Sequence, residues 1–233
     1  MSFKMAMSCF SDLMCKRDIM IKENLLSIRE EIKDFKDVTI VIATKYVDEN
    51  GIKELYECGE RNFGENRCDA FLKKYEANKD LDIVWHFIGH LQTNKVKDIV
   101  NKVEYIHSLD SLKLAKEINK EANKKVKCFI EVHNGIDDSK YGFTLSELNE
   151  CLDELKHLEN IEIVGLMVMA PNTTDKLQIR SVFNKTKYLQ EEIKRIIPTC
   201  VELSMGMSND YLIALDCGAS FLRLGRVVFE GGL

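Results

Sequence analysis

Eight apolar, β-branched-rich runs recur along this chain, and a stretch with helical spacing follows most of them. That alternation limits the fold more than any other feature. The runs cover 38–45, 61–66, 82–89, 103–109, 126–133, 161–170, 201–204 and 221–229. The first, Val38-Thr39-Ile40-Val41-Ile42-Ala43-Thr44-Lys45, is continuous rather than alternating, as expected of a strand buried on both faces of a parallel sheet. Between the runs, helices are expected over 19–35 (apolar at 21, 25, 28 and 32), 48–58, 67–78, from 90–95 onward, after Asp110, after Thr144, over 174–197, and over 208–217. Asp48, Asp110 and Ser208 are read as caps, Thr144 with Glu147 as a capping box, and Pro198 as a stop. A doubly wound sheet also alternates in this way, but eight strands in about 190 residues fit closure better. The expected fold is a single α/β domain, a (β/α)8 TIM barrel over residues 18–233, with 1–17 as an extension ahead of it.

The totals narrow the function. The 233 residues are 45% hydrophobic and 30% charged, which suits a soluble protein with a substantial core. A net charge of −5 argues against general nucleic-acid binding, and basic pairs such as Lys73-Lys74 and Lys124-Lys125 read as solvated helix faces. No apolar run approaches the roughly 18 residues of a membrane span. Cysteines at 9, 15, 58, 68, 128, 151, 200 and 217 form no CxxC pair, so reduced thiols in a cytoplasmic setting are expected, with no metal site. Met1 to Arg17 lacks the apolar region of a secretory signal, and arginine is too scarce to favour an organellar presequence. The dinucleotide fingerprint GxGxxG does not follow the first strand. No exposed apolar stripe stands out, and a monomer is expected.

Lys45 ends the first strand, and α/β barrels place their chemistry at the carboxyl ends of strands. A lysine there is expected to be partly desolvated, which favours its neutral amine and a role as Schiff-base nucleophile; the plainer reading is a lysine that reaches out to water. Barrels often hold phosphate in the loops after strands seven and eight. Here those loops are Ser204-Met205-Gly206-Met207-Ser208, with a hydroxyl at each end, and Arg223-Leu224-Gly225-Arg226, where Gly225 admits close backbone approach. The first of these is equally readable as a capped turn. Together, a mouth lysine and a phosphate grip describe binding of pyridoxal 5′-phosphate (PLP).

At this point the sequence closely resembles the PLP homeostasis protein family (proline synthase co-transcribed homologues), related to the barrel domain of alanine racemase. The resemblance rests on Ala43-Thr44-Lys45, Phe63-Gly64-Glu65-Asn66, the run Trp85 to Lys95 (WHFIGHLQTNK), Ser139-Lys140-Tyr141-Gly142-Phe143, Gly165-Leu166-Met167, Ser204 to Asp210 (SMGMSND) and Arg223-Leu224-Gly225. It covers about residues 20 to 230 and implies PLP fold type III without the second β domain.

The resemblance further implies that Lys45 carries PLP as a Schiff base. Ser204, Gly206, Met207 and Ser208, with Gly225 and the backbone of Arg226, would surround its phosphate. Arg223 would face the pyridine nitrogen, and Asn66 and Met167 would lie near the ring. The family commonly has threonine where Arg226 stands, so a backbone donor survives there but a hydroxyl contact does not. An arginine at 223 disfavours a protonated ring nitrogen, which weakens PLP as an electron sink. Related racemases also need a second acid/base, a tyrosine involving a second domain, and Leu233 follows so soon on the last strand that no such domain is expected. His90, His133 and Tyr141 are the substitutes the barrel mouth offers, while His86 and His107 read as structural, and neither Lys95 nor Lys140 is given a catalytic role.

The function expected first is a PLP carrier or buffer serving PLP homeostasis and amino/keto acid balance, without robust catalytic activity, with PLP-requiring apo-enzymes as partners. An amino-acid racemase comes second. A barrel holding another phosphorylated ligand, with Lys45 only a charge, comes third.

Overall fold

Short strands that are apolar on both faces must bury both, and a barrel does so between a helical shell and a closed interior. The computed structural model, which describes residues 19–135 and 141–230, has this arrangement. After a helix over 19–31 (α1), the chain runs β1 (Thr39–Ala43), α2 (Glu49–Glu57), β2 (Asn62–Glu65), α3 (Cys68–Ala77), β3 (Val84–Phe87) and α4 (Val96–Ile99). It continues through β4 (Tyr105–Leu109), α5 (Leu112–Glu121), β5 (Val126–Glu131), α6 (Leu145–Leu155), β6 (Ile161–Met167) and α7 (Lys176–Lys194). The last turn of the barrel is β7 (Glu202–Ser204), α8 (Tyr211–Asp216), β8 (Phe221–Leu224) and α9 (Arg226–Phe229). All strand pairs are parallel, and β1 pairs with both β2 and β8, so the sheet closes as an eight-stranded (β/α)8 barrel. None of the described helices is long and apolar enough to cross a membrane. The extension expected over 1–17 lies outside the described residues.

Strand alternation divides the core in two. Outward residues such as Ile42, Phe63, Trp85, Phe87 and Ile106 join helix residues including Ile52, Leu55, Phe71, Ile118 and Leu152 in one continuous layer. Phe71 of α3 stands edge-on to Trp85 at 87°, with centroids 5.4 Å apart. It is fully buried, a contribution of about 2–3 kcal/mol. Inward residues Val41, Phe129, Val164, Met167 and Phe221 fill the barrel itself. His86, His107, Ser204 and Arg223 share that interior and are equally inaccessible.

Asp48 caps α2 through the Asn50 and Gly51 N–H groups (3.1 and 3.0 Å), and Thr144 with Glu147 closes the expected capping box on α6. Other expectations are corrected. The first strand stops at Ala43, and Thr44–Tyr46 curls into a single 3-10 turn. Ser111 rather than Asp110 caps α5, because Asp110 is engaged with His90 at 2.9 Å. Ser208 does not cap α8, which begins after Asp210. The apolar run 221–229 is a strand only to Leu224, with α9 beyond Gly225.

Candidate functional site

The mouth of the barrel holds a cavity of about 280 Å³ between the ends of β1, β2, β3 and β8 and the loop after β7. Its walls include Lys45, Asn66, Met207, Ser208, Arg223, Gly225 and Arg226, seven of the ten residues singled out from the sequence. Tyr46, Gly64, Ile88, Met169 and Asp210 complete much of the rest and were not anticipated. The other three expected residues lie elsewhere. Met167 packs inside the barrel against Val41 and Phe129, and Met169, two residues on, takes the wall position. Ser204 is fully buried, bonded to Arg223 and His107. Gly206, at φ 96°, is a packing glycine, since a Cβ there would come within 2.7 Å of Ala214 Cβ.

Lys45 sits within the single turn that follows the strand end and is exposed, so the partly desolvated position expected from the sequence is not what the fold provides. Its Nζ lies 5.1 Å from the Tyr46 ring centroid. The turn that presents it is anchored from below. Thr44 Oγ1 is 3.0 Å from Glu65 Oε2 and 3.1 Å from the Gly64 carbonyl, and Lys74 Nζ donates to the Thr44 carbonyl at 2.8 Å. Lys74 also forms an ion pair with Glu65, both side chains being almost wholly buried. Lys74 is therefore not the solvated helix residue its neighbour Lys73 suggested. The same Glu65 carboxylate accepts from the Asn66 N–H at 2.8 Å, so one buried pair ties the turn carrying Lys45 to the wall carrying Asn66. The signal in the sequence was spacing: Lys74 stands three residues after buried Phe71 and four before buried Asn78, on the inner stripe of α3.

The loops after β7 and β8 clasp each other. Asp210 Oδ1 accepts from the Met207 N–H at 2.6 Å, and Ser208 Oγ accepts from the Val227 N–H at 3.2 Å. Tyr46 packs closely on Gly225, where a Cβ would come within 2.6 Å of its Cε2. At the floor, the Arg223 Nη1 donates to the Ser204 carbonyl at 2.8 Å and Nη2 to the Val168 carbonyl at 3.1 Å. Burial lowers its pKa to about 10, with Glu131 and Asp210 opposing the shift, so the guanidinium is charged at neutral pH. The barrel-mouth groups His90, His133 and Tyr141 are not among the cavity walls: His90 pairs with Asp110 and packs on Tyr141 with centroids 4.2 Å apart, and His133 Nδ1 accepts from the Gly135 N–H. Lys140 lies outside the described residues.

Burial, then the Asp110 carboxylate, raise Glu131 to about 7 against the pull of Arg223. Because the folded chain holds that proton more tightly than the unfolded one, the stability it confers is complete below the ordinary glutamate range and is lost as pH rises towards 7. Glu131→Gln should therefore be more stable than wild type at pH 8, by on the order of 3 kcal/mol, and about equal at pH 4.5. Urea unfolding at the two pH values checks this, and an equal effect at both would contradict it.

The fold and site define a (β/α)8 barrel with a ligand-sized cavity at its mouth, a primary amine on the cavity wall and a buried arginine at its floor. Residues 20–231 match the family described as alanine racemase, N-terminal domain. The pyridoxal phosphate homeostasis protein of Aquifex aeolicus is 43% identical over 191 residues, spanning 80% of this chain and 84% of the relative. That of Helicobacter pylori is 34% identical, spanning 83% and 87%. Among solved structures, PipY of Synechococcus elongatus superposes with a TM-score of 0.83 with PLP bound and 0.85 without it. PipY is 32% identical, and the alignment covers 90% of this chain and 99% of PipY. The chain belongs to the pyridoxal phosphate homeostasis protein family, built on the alanine racemase N-terminal domain.

Proposed function

We propose that this protein binds pyridoxal 5′-phosphate covalently and reversibly at Lys45 and carries or buffers it for PLP-requiring apo-enzymes. The observation that supports this most is the convergence of Lys45, Arg223 and Ser208 on one cavity. The residues present suit the ligand. PLP supplies an aldehyde that condenses with primary amines, so Lys45 is the group that retains it, and an exposed amine is one that other amines can displace. Arg223 donates hydrogen bonds and cannot accept them, which matches an unprotonated ring nitrogen and leaves carbanion chemistry weakly assisted. Ser208 and Arg226 offer a hydroxyl proton and a permanent cation to a phosphate.

The position of His90, His133 and Tyr141 outside the cavity supports holding and release over turnover, and we infer no robust catalytic activity. A monomer is proposed on the sequence, in which no exposed apolar stripe stands out. A cytoplasmic location is proposed because the described cysteines, Cys58, Cys68, Cys128, Cys151, Cys200 and Cys217, are free thiols. The test is transfer: PLP-loaded protein mixed with the apo-form of a PLP enzyme should restore its activity as Lys45 is vacated. Interconversion of L- and D-alanine by purified wild-type protein, lost in Lys45→Ala, would overturn the carrier reading in favour of a racemase.

A further inference from the structure

Beneath the cavity a row of polar side chains crosses the barrel interior from β8 to β2. Arg223 Nη1 lies 2.5 Å from Ser204 Oγ, which is 2.8 Å from His107 Nδ1. His107 Nε2 is 3.0 Å from His86 Nδ1, and His86 Nε2 is 3.0 Å from Asn62 Oδ1. With Asn62 presenting its Oδ1 to His86 and both histidines neutral, the hydrogens in this row have one arrangement that leaves every group paired. Arginine can only donate, so Ser204 accepts from it and has one proton left to give. That proton goes to His107 Nδ1, which must be unprotonated. His107 therefore carries its hydrogen on Nε2 and gives it to His86 Nδ1, and His86 in turn donates from Nε2 to Asn62.

We propose that His107 and His86 are positioning residues for the ligand: acting through Ser204, they hold the Arg223 guanidinium at the cavity floor as a fixed donor. This rests on the PLP reading only where it concerns the ligand; the chain itself does not depend on it. Each histidine must stay neutral for the row to hold, because a proton on His107 Nδ1 would leave the Ser204 hydroxyl without an acceptor. The surroundings enforce neutrality. Burial takes His86 down to about 3, helped by Lys127, and holds His107 well below the usual histidine range, helped by His86 and Arg223. Tyr105 stacks on His86 with centroids 4.6 Å apart, and Phe129 on His107 at 4.4 Å, so each imidazole has an aromatic ring against one face.

The experiment uses the full chain and three variants: His107→Leu removes the acceptor, His107→Asn keeps one at the Nδ1 position, and Ser204→Ala removes the link should His107→Leu not fold. In ligand-free protein labelled at the histidine nitrogens, NMR should show His86 and His107 as neutral Nε2–H forms from pH 5 to pH 9. With PLP as probe, affinity should fall about tenfold in His107→Leu and Ser204→Ala and stay within about threefold of wild type in His107→Asn. The pH at which the visible band of the Lys45 adduct fades should also fall in His107→Leu, since a loosened Arg223 lets the ring nitrogen take a proton that opposes a second positive charge nearby. A merely structural role would lower stability without moving that pH. Protonated or Nδ1–H imidazoles, or unchanged affinity and band pH in all three variants, would overturn the proposal. Failure of wild type to bind PLP would instead overturn the functional reading, with the ligand-free NMR still reporting on the chain.

Discussion

Lys74→Met should destabilise the fold by about 3–5 kcal/mol, because it strands the Glu65 carboxylate in a nearly inaccessible position. For a chain of this size that lowers the melting temperature by about 10 °C. The charge is what matters, so Glu65→Gln/Lys74→Met, which leaves nothing ionised behind, should recover most of the loss. The functional consequence is separate. Without Lys74 the Thr44 carbonyl loses a donor and the turn presenting Lys45 loses an anchor, so ligand retention should weaken even where the variant remains folded. Urea unfolding with PLP-binding titrations on the single and double variants reads both effects. A loss below 1 kcal/mol in the single variant would contradict the buried-pair account.

Gly89→Ala carries the second large effect. A Cβ at 89 would stand 2.1 Å from the Asn66 carbonyl oxygen and 2.7 Å from its carbonyl carbon, and backbone atoms cannot rotate aside as a side chain can. The loop after β3 and the end of β2 must then separate, at a cost of about 3 kcal/mol, near the upper end for overpacking. Asn66 would move out of the cavity wall, and PLP affinity should fall about tenfold. Gly59→Ala is the contrasting control for added bulk, since nothing lies within 4 Å of a Cβ there, although its φ of 93° adds backbone strain unrelated to the cavity. Unaltered PLP affinity in Gly89→Ala would show that the approach of Gly89 to Asn66 does not shape the site.

How much of this was legible in the sequence depended on the kind of signal. The eight strands were visible because burial on both faces leaves a run of apolar, β-branched residues whatever the loops do. Their ends were not. Val38 to Lys45 reads as one strand, yet Thr44 turns off because its hydroxyl and carbonyl are claimed by Gly64, Glu65 and Lys74 from other elements. Phe221 to Phe229 reads as one run, and periodicity alone does not separate a buried strand from a buried helical turn. Lys45, Ser208, Gly225 and Arg226 line the cavity because strand ends and their loops face the barrel mouth in any such fold, whereas Asn66 was singled out only through the family resemblance. Ser204 was misplaced for the converse reason: it is the last residue of β7, and strand alternation aims it inward at Arg223 and His107. The Glu65–Lys74 pair was hidden by composition, since a lysine beside a second lysine looks solvated until the helical face is drawn.

The most direct measurement is the visible absorption of purified protein mixed with PLP, wild type beside Lys45→Ala, followed by borohydride reduction and peptide mapping. The expected result is an absorption band in wild type that is absent from the variant, with the reduced PLP label on the peptide containing Lys45. No band in either protein, or a label on another lysine with Lys45→Ala unaffected, would contradict the assignment of Lys45 and leave the cavity to some other phosphorylated ligand.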